Sequence, residues 1–460
     1  MSKDLDTTPS VLGAVIDNDV CNGCGNCSYL EGDVYSVALD SYGKYKSKIS
    51  REERIDIGKA CPFSGKSRDE DAIARDLYKR ASYNGFIGYY RELYAGYVNS
   101  CELRSMSTSG GMIRWILTQL IQKDGIDGII HVKKSQGNAG VHFEYGISRT
   151  IDEISSGVKS VYYPVSPSNV LNQLRGASGK YVFVGLPCMV KSLRLLCEED
   201  QSLNLKIAYT IGLVCGHLKT KGYADYFASK LGFGPDYDFI DFRHKTDIGG
   251  ASAYSVKVAK GEEIRTIESR KCKAANWQYN AYRYPCCNYC DDVFSETADI
   301  TVGDAWIKPY IDMDQGVSEI IVRSQSLLDL LNQGKNENQV VLSQLTATEV
   351  IRSQLGGLRD RREGLAYRLW QDEQNNKWVP KKRIKPRDIR DKDRKKVYLL
   401  RRAIEKQSNF LYSSERDLSE ADDMLSVFYN ELDCVPRKNK VALAVSKLFF
   451  ITSKDYKTKG

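Results

Sequence analysis

The chain has 460 residues, 42% of them hydrophobic, with 29 tyrosines. It is too long for one compact core and too apolar to be disordered, so we expect two or three folded domains. The net charge is +8, but residues 377–402 alone hold thirteen Lys or Arg against three Asp. The basic character therefore belongs to a tail, which we expect to be helical and solvated, and says little about the body.

No positively charged and then apolar segment opens the chain, so no secretory signal is expected. The apolar stretch at residues 441–452 is shorter than the roughly 20 residues that span a bilayer. We therefore expect a cytoplasmic protein without a membrane span. Because the cytosol keeps thiols reduced, the 13 cysteines are interpreted as metal ligands rather than disulfides.

The first motif is a cysteine triplet near the N-terminus. Cys21, Cys24 and Cys27 are evenly spaced, and a fourth thiol, Cys61, is followed at once by Pro62. This pattern is typical of ferredoxin-type domains, which hold a 4Fe-4S cluster. The alternative is a structural zinc site, although zinc ligands usually come as separated pairs. We expect a small, cluster-dependent unit with a strand near residues 34–39, followed by a helical connector at residues 69–83.

A strand is expected at residues 92–98, and a small-residue motif follows it. From Met112 onward, apolar residues recur at helical spacing. The residues just before this predicted helix are small, namely Ser107, Ser109, Gly110 and Gly111. Such a start leaves the first helical amides free, and the helix dipole favours a phosphate there. The same residue types also cap helices that bind nothing, so the motif alone leaves both interpretations open.

Two strand-to-helix turns come next. Residues 181–184 predict a buried strand, and residues 189–196 predict a helix. Between them, Gly185 and Pro187 predict a tight turn that also contains Cys188. Residues 206–214 predict a second strand, which ends at Cys215, and residues 223–231 a second helix. In a βαβ arrangement both cysteines lie at the carboxyl ends of strands, where ligands gather in open α/β sheets. The alternative is that both are buried free cysteines.

A third cysteine group contains Cys287 and Cys290 in a CxxC pair. With Cys188 and Cys215 it completes a second set of four metal ligands if the fold brings them together. Cys272 and Cys286 are the substitutes if it does not. The remaining thiols and three scattered histidines have no partner at ligand spacing and are interpreted as structural, namely Cys101, Cys197, Cys434, His131, His142 and His244.

Taken together, the motifs resemble the coenzyme F-420 hydrogenase/dehydrogenase beta-subunit family. The residues that carry the resemblance are the 21–27 triplet with Cys61 and Pro62, and residues 107–111, 185–188, 211–215, 287–292, 298–306 and 316–323. The resemblance implies an α+β protein with a ferredoxin-like 4Fe-4S domain at 1–75 and an FAD-binding domain at 90–330. Residues 340–460 lie outside the resemblance and are expected to form a helical basic tail. The resemblance also implies an FAD beside Ser107, Ser109, Gly110, Gly111, Gly185 and Pro187.

The implied activity is electron transfer between a reduced donor, either ferredoxin or a deazaflavin-like molecule, and an acceptor. FAD and 4Fe-4S clusters carry the electrons, since a flavin exchanges pairs and a cluster single electrons. Bacterial members suggest a link to polysaccharide biosynthesis. The implied partners are a ferredoxin or other redox protein and a small-molecule donor or acceptor; a homo-oligomer stays open, and nucleic acid is not expected.

A non-enzymatic function is the alternative. In it, zinc stabilises a binding protein whose basic tail docks on nucleic acid or on an acidic partner. Colourless protein that contains zinc and no flavin would favour this alternative.

Overall fold

The computed structural model describes residues 11–50, 57–123, 125–136, 140–157, 159–245 and 253–436. Its strands are β1 (Tyr35–Leu39), β2 (Tyr45–Ile49), β3 (Ser82–Asn84), β4 (Gly88–Tyr90), β5 (Glu92–Val98), β6 (Gly128–Lys134), β7 (Phe143–Ser148), β8 (Tyr181–Gly185), β9 (Ile207–Leu213), β10 (Phe239–Lys245), β11 (Tyr254–Lys260), β12 (Glu263–Glu268), β13 (Ile300–Asp304), β14 (Ser318–Val322) and β15 (Val340–Gln344).

The helices, in chain order, are α1 (Val11–Asp17), α2 (Asn26–Leu30), α3 (Glu70–Leu77), α4 (Cys101–Ser105), α5 (Met112–Ile121), α6 (Ile151–Ser155), α7 (Ser168–Gly176), α8 (Pro187–Glu199), α9 (Gln201–Lys206), α10 (Lys221–Lys230), α11 (Gln325–Asn336), α12 (Ala347–Ser353), α13 (Leu355–Arg359), α14 (Leu365–Gln374), α15 (Lys392–Ser413), α16 (Ala421–Met424) and α17 (Ser426–Asp433). A π-helical segment, Asp360–Gly364, joins α13 to α14. None of the helices in the described ranges is long and apolar enough to cross a membrane.

A mixed eight-stranded sheet forms the centre of the molecule. Its order is β15-β5-β14-β13-β9-β8-β6-β7. The inner strands β6, β8, β9 and β13 run parallel, and the other pairings are antiparallel. All five residues of β8 are buried, as expected for a parallel strand covered on both faces. The predicted βαβ arrangement is therefore present, and it turns the ends of β8 and β9 toward the same edge of the sheet.

Helices cover both faces of this sheet. On one face α5 and α11 pack through Trp115, Ile116 and Leu331 onto β8, β9 and β13. The other face carries a larger core that includes α8, α10 and α15, the last through Ile404. The last sheet strand, β15, lies beyond residue 330, where the central domain was expected to end.

The N-terminal unit is small, with α1, α2 and the antiparallel pair β1–β2. The expected connector helix at 69–83 is shorter than predicted, because α3 ends at Leu77 and Ser82–Asn84 forms the strand β3. Asp69 caps α3 by accepting a hydrogen bond from the Ala72 amide at 2.8 Å.

The basic segment is solvated only in part, and the prediction of a solvated tail is wrong for residues 382–383. The side chains of Lys382 and Arg383 are 4% and 5% exposed. Each is buried because carboxylates from distant parts of the chain neutralise it: Asp291 lies 2.8 Å from Lys382, and Glu296 lies 2.7 Å from Arg383. The helix expected in this segment is present as α15. Residues 437–460 of the expected tail lie outside the described residues.

Candidate functional site

The first cysteine group begins in the loop between α1 and α2, which holds Cys21 and Cys24, while Cys27 lies in the first turn of α2. Two glycines shape this loop with positive φ angles, +72° at Gly23 and +84° at Gly25. A Cβ at Gly23 would lie 2.6 Å from the Tyr45 carbonyl oxygen, and one at Gly25 would lie 2.5 Å from the Cβ of Ser168. Glycine is therefore required at both positions, since any side chain would strain the loop and collide with the next layer.

The loop brings its thiols together with Cys61. Cys21, Cys24, Cys27 and Cys61 line one small cavity of about 20 Å³. Burial, and then the neighbouring thiols Cys21 and Cys24, raise the pKa of Cys27 to about 12. For Cys24 burial is again the main cause, and its pKa rises to about 11. Burial and the neighbouring thiols therefore favour the neutral form of these cysteines, whereas a cationic metal centre would favour the thiolate form.

Hydrogen-bond donors surround the same thiols. The amides of Gly23 and Ser47 each donate to the Cys21 sulfur at 3.4 Å, and the Cys27 thiol donates to the Ser47 hydroxyl at 3.1 Å. Amide donors to sulfur are the outer contacts that tune thiolate-bound metal centres. The donor set therefore fits a metal centre bound by four thiolates.

A second set of four cysteines comes together from three separate parts of the chain. Cys188 lies at the start of α8, Cys215 follows β9, and Cys287 and Cys290 lie at the 3₁₀ turn Pro285–Tyr289. Burial raises the pKa of Cys188 first, and the nearby thiols Cys290, Cys215 and Cys287 raise it further. These are the four residues that the sequence grouped. The Leu218 amide donates to the Cys287 sulfur at 3.3 Å.

The two proposed substitutes have different environments. Cys286 lies against Cys287, Cys188 and Cys21, so it stands between the two groups. Its thiol donates to Cys287 and, as the largest cause, lowers the pKa of Cys287 to about 6. Cys272 instead lies beside Tyr226.

The remaining predicted residues are found as follows. Of the thiols interpreted as structural, Cys197 is buried, and Cys101 and Cys434 are exposed. His131 is buried, with its Nε2 atom 2.8 Å from the Ser148 hydroxyl. In the described part of the chain, no three His, Cys, Asp or Glu side chains are arranged to hold a single metal ion.

The two cysteine groups are neighbours. Cys21, Cys61, Cys188, Cys286 and Cys287 all belong to one apolar cluster. The side chain of Asn22, in the first loop, also contacts Cys188. A direct route through packed atoms therefore connects the first group to the second.

A large cavity of about 2510 Å³ adjoins the second group, and Cys215 is part of its wall. A typical ligand pocket is about 300–1,000 Å³. Of the residues predicted to hold a cofactor, Ser107, Ser109, Gly111 and Gly185 line it, whereas Gly110 and Pro187 do not. A Cβ at Gly110 would lie 2.5 Å from the Gly96 carbonyl oxygen, so this glycine lets the motif pack against the sheet.

The two serine hydroxyls of the motif are hydrogen-bonded within the protein. Ser107 donates to the Leu103 carbonyl at 2.7 Å, and Ser109 donates to the Val317 carbonyl at 3.0 Å. The amides at the start of α5 are different, because its N-cap is Gly111 and no side chain caps the helix. These amides and the cationic side chain of Arg114, also in the wall, are the groups that suit a phosphate.

Aromatic residues line part of the cavity. Trp277 lies 4.9 Å from Tyr162 and 4.4 Å from His217, measured between ring centroids. Gly216 permits this arrangement, since a Cβ there would lie 3.0 Å from the Trp277 ring. The His217 Nε2 atom is buried without a hydrogen-bond partner among the described residues. A flat ring system beside a polar edge suits this part of the cavity.

No sequence pattern predicted Trp277, His217 or the wall supplied by residues 359–401 as part of the site. His217 carried a usable signal, because it stands two residues after Cys215 at a strand end. Trp277 and the wall carried none, since they reach the cavity only through tertiary packing.

Comparisons with known proteins agree with this architecture. Two models of one family, the beta subunit of coenzyme F420 hydrogenase/dehydrogenase, match the chain. The model of the family's N-terminal part matches residues 93–172, and the model of its C-terminal part matches residues 178–348. The chain belongs to this family, whose members are described as subunits of oxidoreductases. No curated protein matches the chain in a sequence search.

A solved structure is similar in fold. It is a chain of the F420-reducing [NiFe] hydrogenase complex from Methanosarcina barkeri, with a TM-score of 0.50 and 16% identity. The match covers 65% of this chain and 98% of that one. Residues after 348, which include α13 to α17, lie beyond the two family matches.

Proposed function

We propose that this protein is an oxidoreductase that uses FAD and two 4Fe-4S clusters to pass electrons between a reduced donor and an acceptor. Cys21, Cys24, Cys27 and Cys61 would hold one cluster, and Cys188, Cys215, Cys287 and Cys290 the other. The motif at Ser107, Ser109, Gly110 and Gly111, with Gly185 and Pro187, would border the FAD. When bound, a flavin exchanges electrons in pairs and each cluster exchanges one at a time.

One observation carries the proposal: the second cysteine group lies between the cavity and the first group. Cys215 is part of the cavity wall, while Cys188 and Cys286 pack with Cys21. Two metal groups and a cofactor cavity in this order would form a relay from the interior to the N-terminal unit. A purely structural role for eight cysteines explains neither the order nor the cavity.

The protein residues would hold the cofactors of this relay and shield them from water. The α5 amides would bind the anionic part of the cofactor, and Trp277 and Tyr162 would pack on its ring. The apolar cluster around Cys286 would exclude water between the two cysteine groups. These tasks need no protein nucleophile, so we assign no catalytic acid or base.

The family membership supports a donor or acceptor of the ferredoxin or deazaflavin type, and a redox partner protein. The similar solved chain is part of a complex, which is consistent with such a partner. The link to polysaccharide biosynthesis stays a prediction.

A donor screen on a cysteine variant tests the relay. Deazaflavin, NADH, NADPH and reduced ferredoxin would be offered to anaerobic protein, with flavin reduction and reduction of a one-electron acceptor followed separately. In Cys215→Ser we expect flavin reduction by a two-electron donor to persist, whereas transfer to the one-electron acceptor is largely lost. Cys101→Ser is the control, because this thiol is exposed and lies outside both groups. Wild-type transfer in Cys215→Ser would refute the relay.

A further inference from the structure

The outer face of the hairpin formed by α15 and the short helices α16 and α17 is apolar. The side chains of Leu399, Phe410, Met424 and Val427 are exposed, that of Val427 to 71%. Within the described ranges, these four are among only eleven large hydrophobic side chains that are exposed. A group of such side chains on one surface, unlike a single one, indicates a face that another segment or molecule covers.

The geometry of the hairpin places these side chains on one surface. Lys396 Nζ lies 2.9 Å from a carboxylate oxygen of Glu431, so the start of α15 meets the end of α17 and the two helices run antiparallel. Leu399 lies one turn after Lys396, and Val427 lies one turn before Glu431, which makes Leu399 and Val427 neighbours across the pair. Phe410 follows Leu399 on the same face of α15, about three turns later.

The opposite face of the hairpin packs into the protein. Ile404, Leu411, Leu425 and Tyr429 belong to the main hydrophobic core, and Leu432 is part of both this core and the cavity wall. The hairpin therefore has one face on the core and a second apolar face that the described residues leave largely uncovered.

The chain itself supplies a segment next to this outer face. The described residues end at Pro436, directly after α17. Four residues later comes the stretch 441–452, in which nine of twelve residues are apolar. Helix–helix connections of about two to eight residues are usual in bundles. The stretch can therefore turn back after Pro436 and lie against α17.

The length of this stretch also matches the outer face. Val441, Val445 and Leu448 recur at helical spacing, and a helix of twelve residues is about 18 Å long. On α15, the rise from Leu399 to Phe410 is about 16 Å. One helix of this length would cover the exposed row from end to end.

Charge complementarity favours the same occupant. Residues 417–436 contain six Asp or Glu and no Lys or Arg, whereas residues 437–460 contain seven Lys or Arg and one Asp. Two of the acids, Glu420 and Asp423, are exposed close to Met424 in the chain. A basic, apolar segment also suits an anionic membrane surface, but a membrane would explain neither the exposed apolar face nor its acidic border.

We propose that residues 441–452 dock on the outer face of the α15–α17 hairpin of the same chain, over Leu399, Met424 and Val427. The docked segment would press the hairpin against the core and so brace the part of the cavity wall that contains Leu432. These residues all lie beyond the family matches, which end at residue 348. The proposal is independent of the cofactors under Proposed function.

Limited digestion of the full chain with trypsin, without oxygen, tests the docking. Cleavage after Lys447, inside the segment, would be followed by mass spectrometry at two protein concentrations. We expect slow cleavage in the wild type, at a rate constant that does not depend on protein concentration. In Met424→Ser/Val427→Ser, cleavage should be roughly 10–100-fold faster, because the loss of two apolar contacts raises the population of the undocked segment.

The control variant is Leu205→Ser/Ile264→Ser, which removes two exposed apolar side chains from other parts of the surface. It should be cleaved after Lys447 at the wild-type rate. Equal cleavage rates in all three proteins would overturn the proposal. Protection that increases with protein concentration would also overturn it, since a second copy would then be the occupant. So would protection that appears only with phosphatidylglycerol vesicles, since the segment would then bind a membrane surface.

Discussion

The strongest structural prediction concerns Arg383, which fixes the basic segment over the second cysteine group. Its guanidinium binds Glu296 with two contacts, at 2.7 and 3.0 Å, and lies 3.3 Å from Asp291 and 3.4 Å from Glu70. The exposed fractions of these carboxylate side chains are 2%, 1% and 5%. Arg383→Gln would leave several of these charges buried and poorly compensated.

Removal of one partner from a buried ion pair costs about 3–5 kcal/mol. The lower end is expected here, because three cations remain close to these carboxylates: Lys382 to Asp291 at 2.8 Å, Lys191 to Glu70 at 3.1 Å and Arg362 to Glu296 at 3.5 Å. We therefore expect the free energy of unfolding to fall by about 3 kcal/mol.

Urea unfolding, followed anaerobically, measures this loss from the shift in midpoint multiplied by the slope of the transition. Arg68→Gln is the matched control, since Arg68 also pairs with two carboxylates, Asp76 and Glu198, but its side chain is 38% exposed. That variant should lose no more than about 1 kcal/mol. If Arg383→Gln were no more destabilised than the control, the assignment of Arg383 as a buried anchor would be wrong.

Three further predictions concern individual side chains. Cys24→Ala should lose about half of the bound iron, because one of two proposed clusters is removed. The control variant Cys101→Ala should keep its full iron content, and the same result in Cys24→Ala would contradict the assignment. Burial raises the pKa of Glu319 to about 8 from its ordinary 4.5, so its stabilising contribution is complete below pH ~4.5 and is lost as the pH rises through ~8. Glu319→Gln should therefore be more stable than the wild type above pH ~8, by about 5 kcal/mol at most, and parallel stability curves from pH 5 to 9 would contradict this. Arg361 donates to the Gly216 carbonyl at 2.6 Å and lies near three thiols of the second group. Because a cation favours the reduced, more negative form of a cluster, Arg361→Gln should lower the reduction potential of one cluster in an anaerobic EPR titration. An unchanged potential would argue against this role.

The first cysteine group was predictable because it is local. Three of its thiols and both glycines lie within seven residues, and the positive φ angles at Gly23 and Gly25 follow from that short loop. The parallel strands β8 and β9 were also predictable, since each is an apolar run that ends in a turn. These signals need no knowledge of distant contacts.

The second group could be predicted only on the condition that the fold brings its cysteines together. The βαβ topology brings Cys188 and Cys215 to one edge of the sheet. Cys287 reaches them from the distant 3₁₀ turn Pro285–Tyr289, where its sulfur accepts from the Leu218 amide. The hydrogen bonds of the serine motif could not be predicted, for a related reason. The hydroxyls of Ser107 and Ser109 find nearby carbonyl acceptors that the sequence does not reveal.

The basic segment shows the clearest limit of sequence reasoning. A run of Lys and Arg looks solvated when it is considered alone, because an unpaired buried charge is costly. Arg383 is buried only because Glu70, Asp291 and Glu296 meet it from two other regions of the chain. Such compensation is a property of the tertiary structure, and the cavity wall depends on it.

The most direct test of the account is the cofactor content of the wild-type protein purified without oxygen. Iron, acid-labile sulfide and flavin would be quantified per chain. The account predicts about eight irons, about eight sulfides and one FAD, as two 4Fe-4S clusters and one flavin require. Protein that contains neither sulfide nor flavin, with or without zinc, would contradict it.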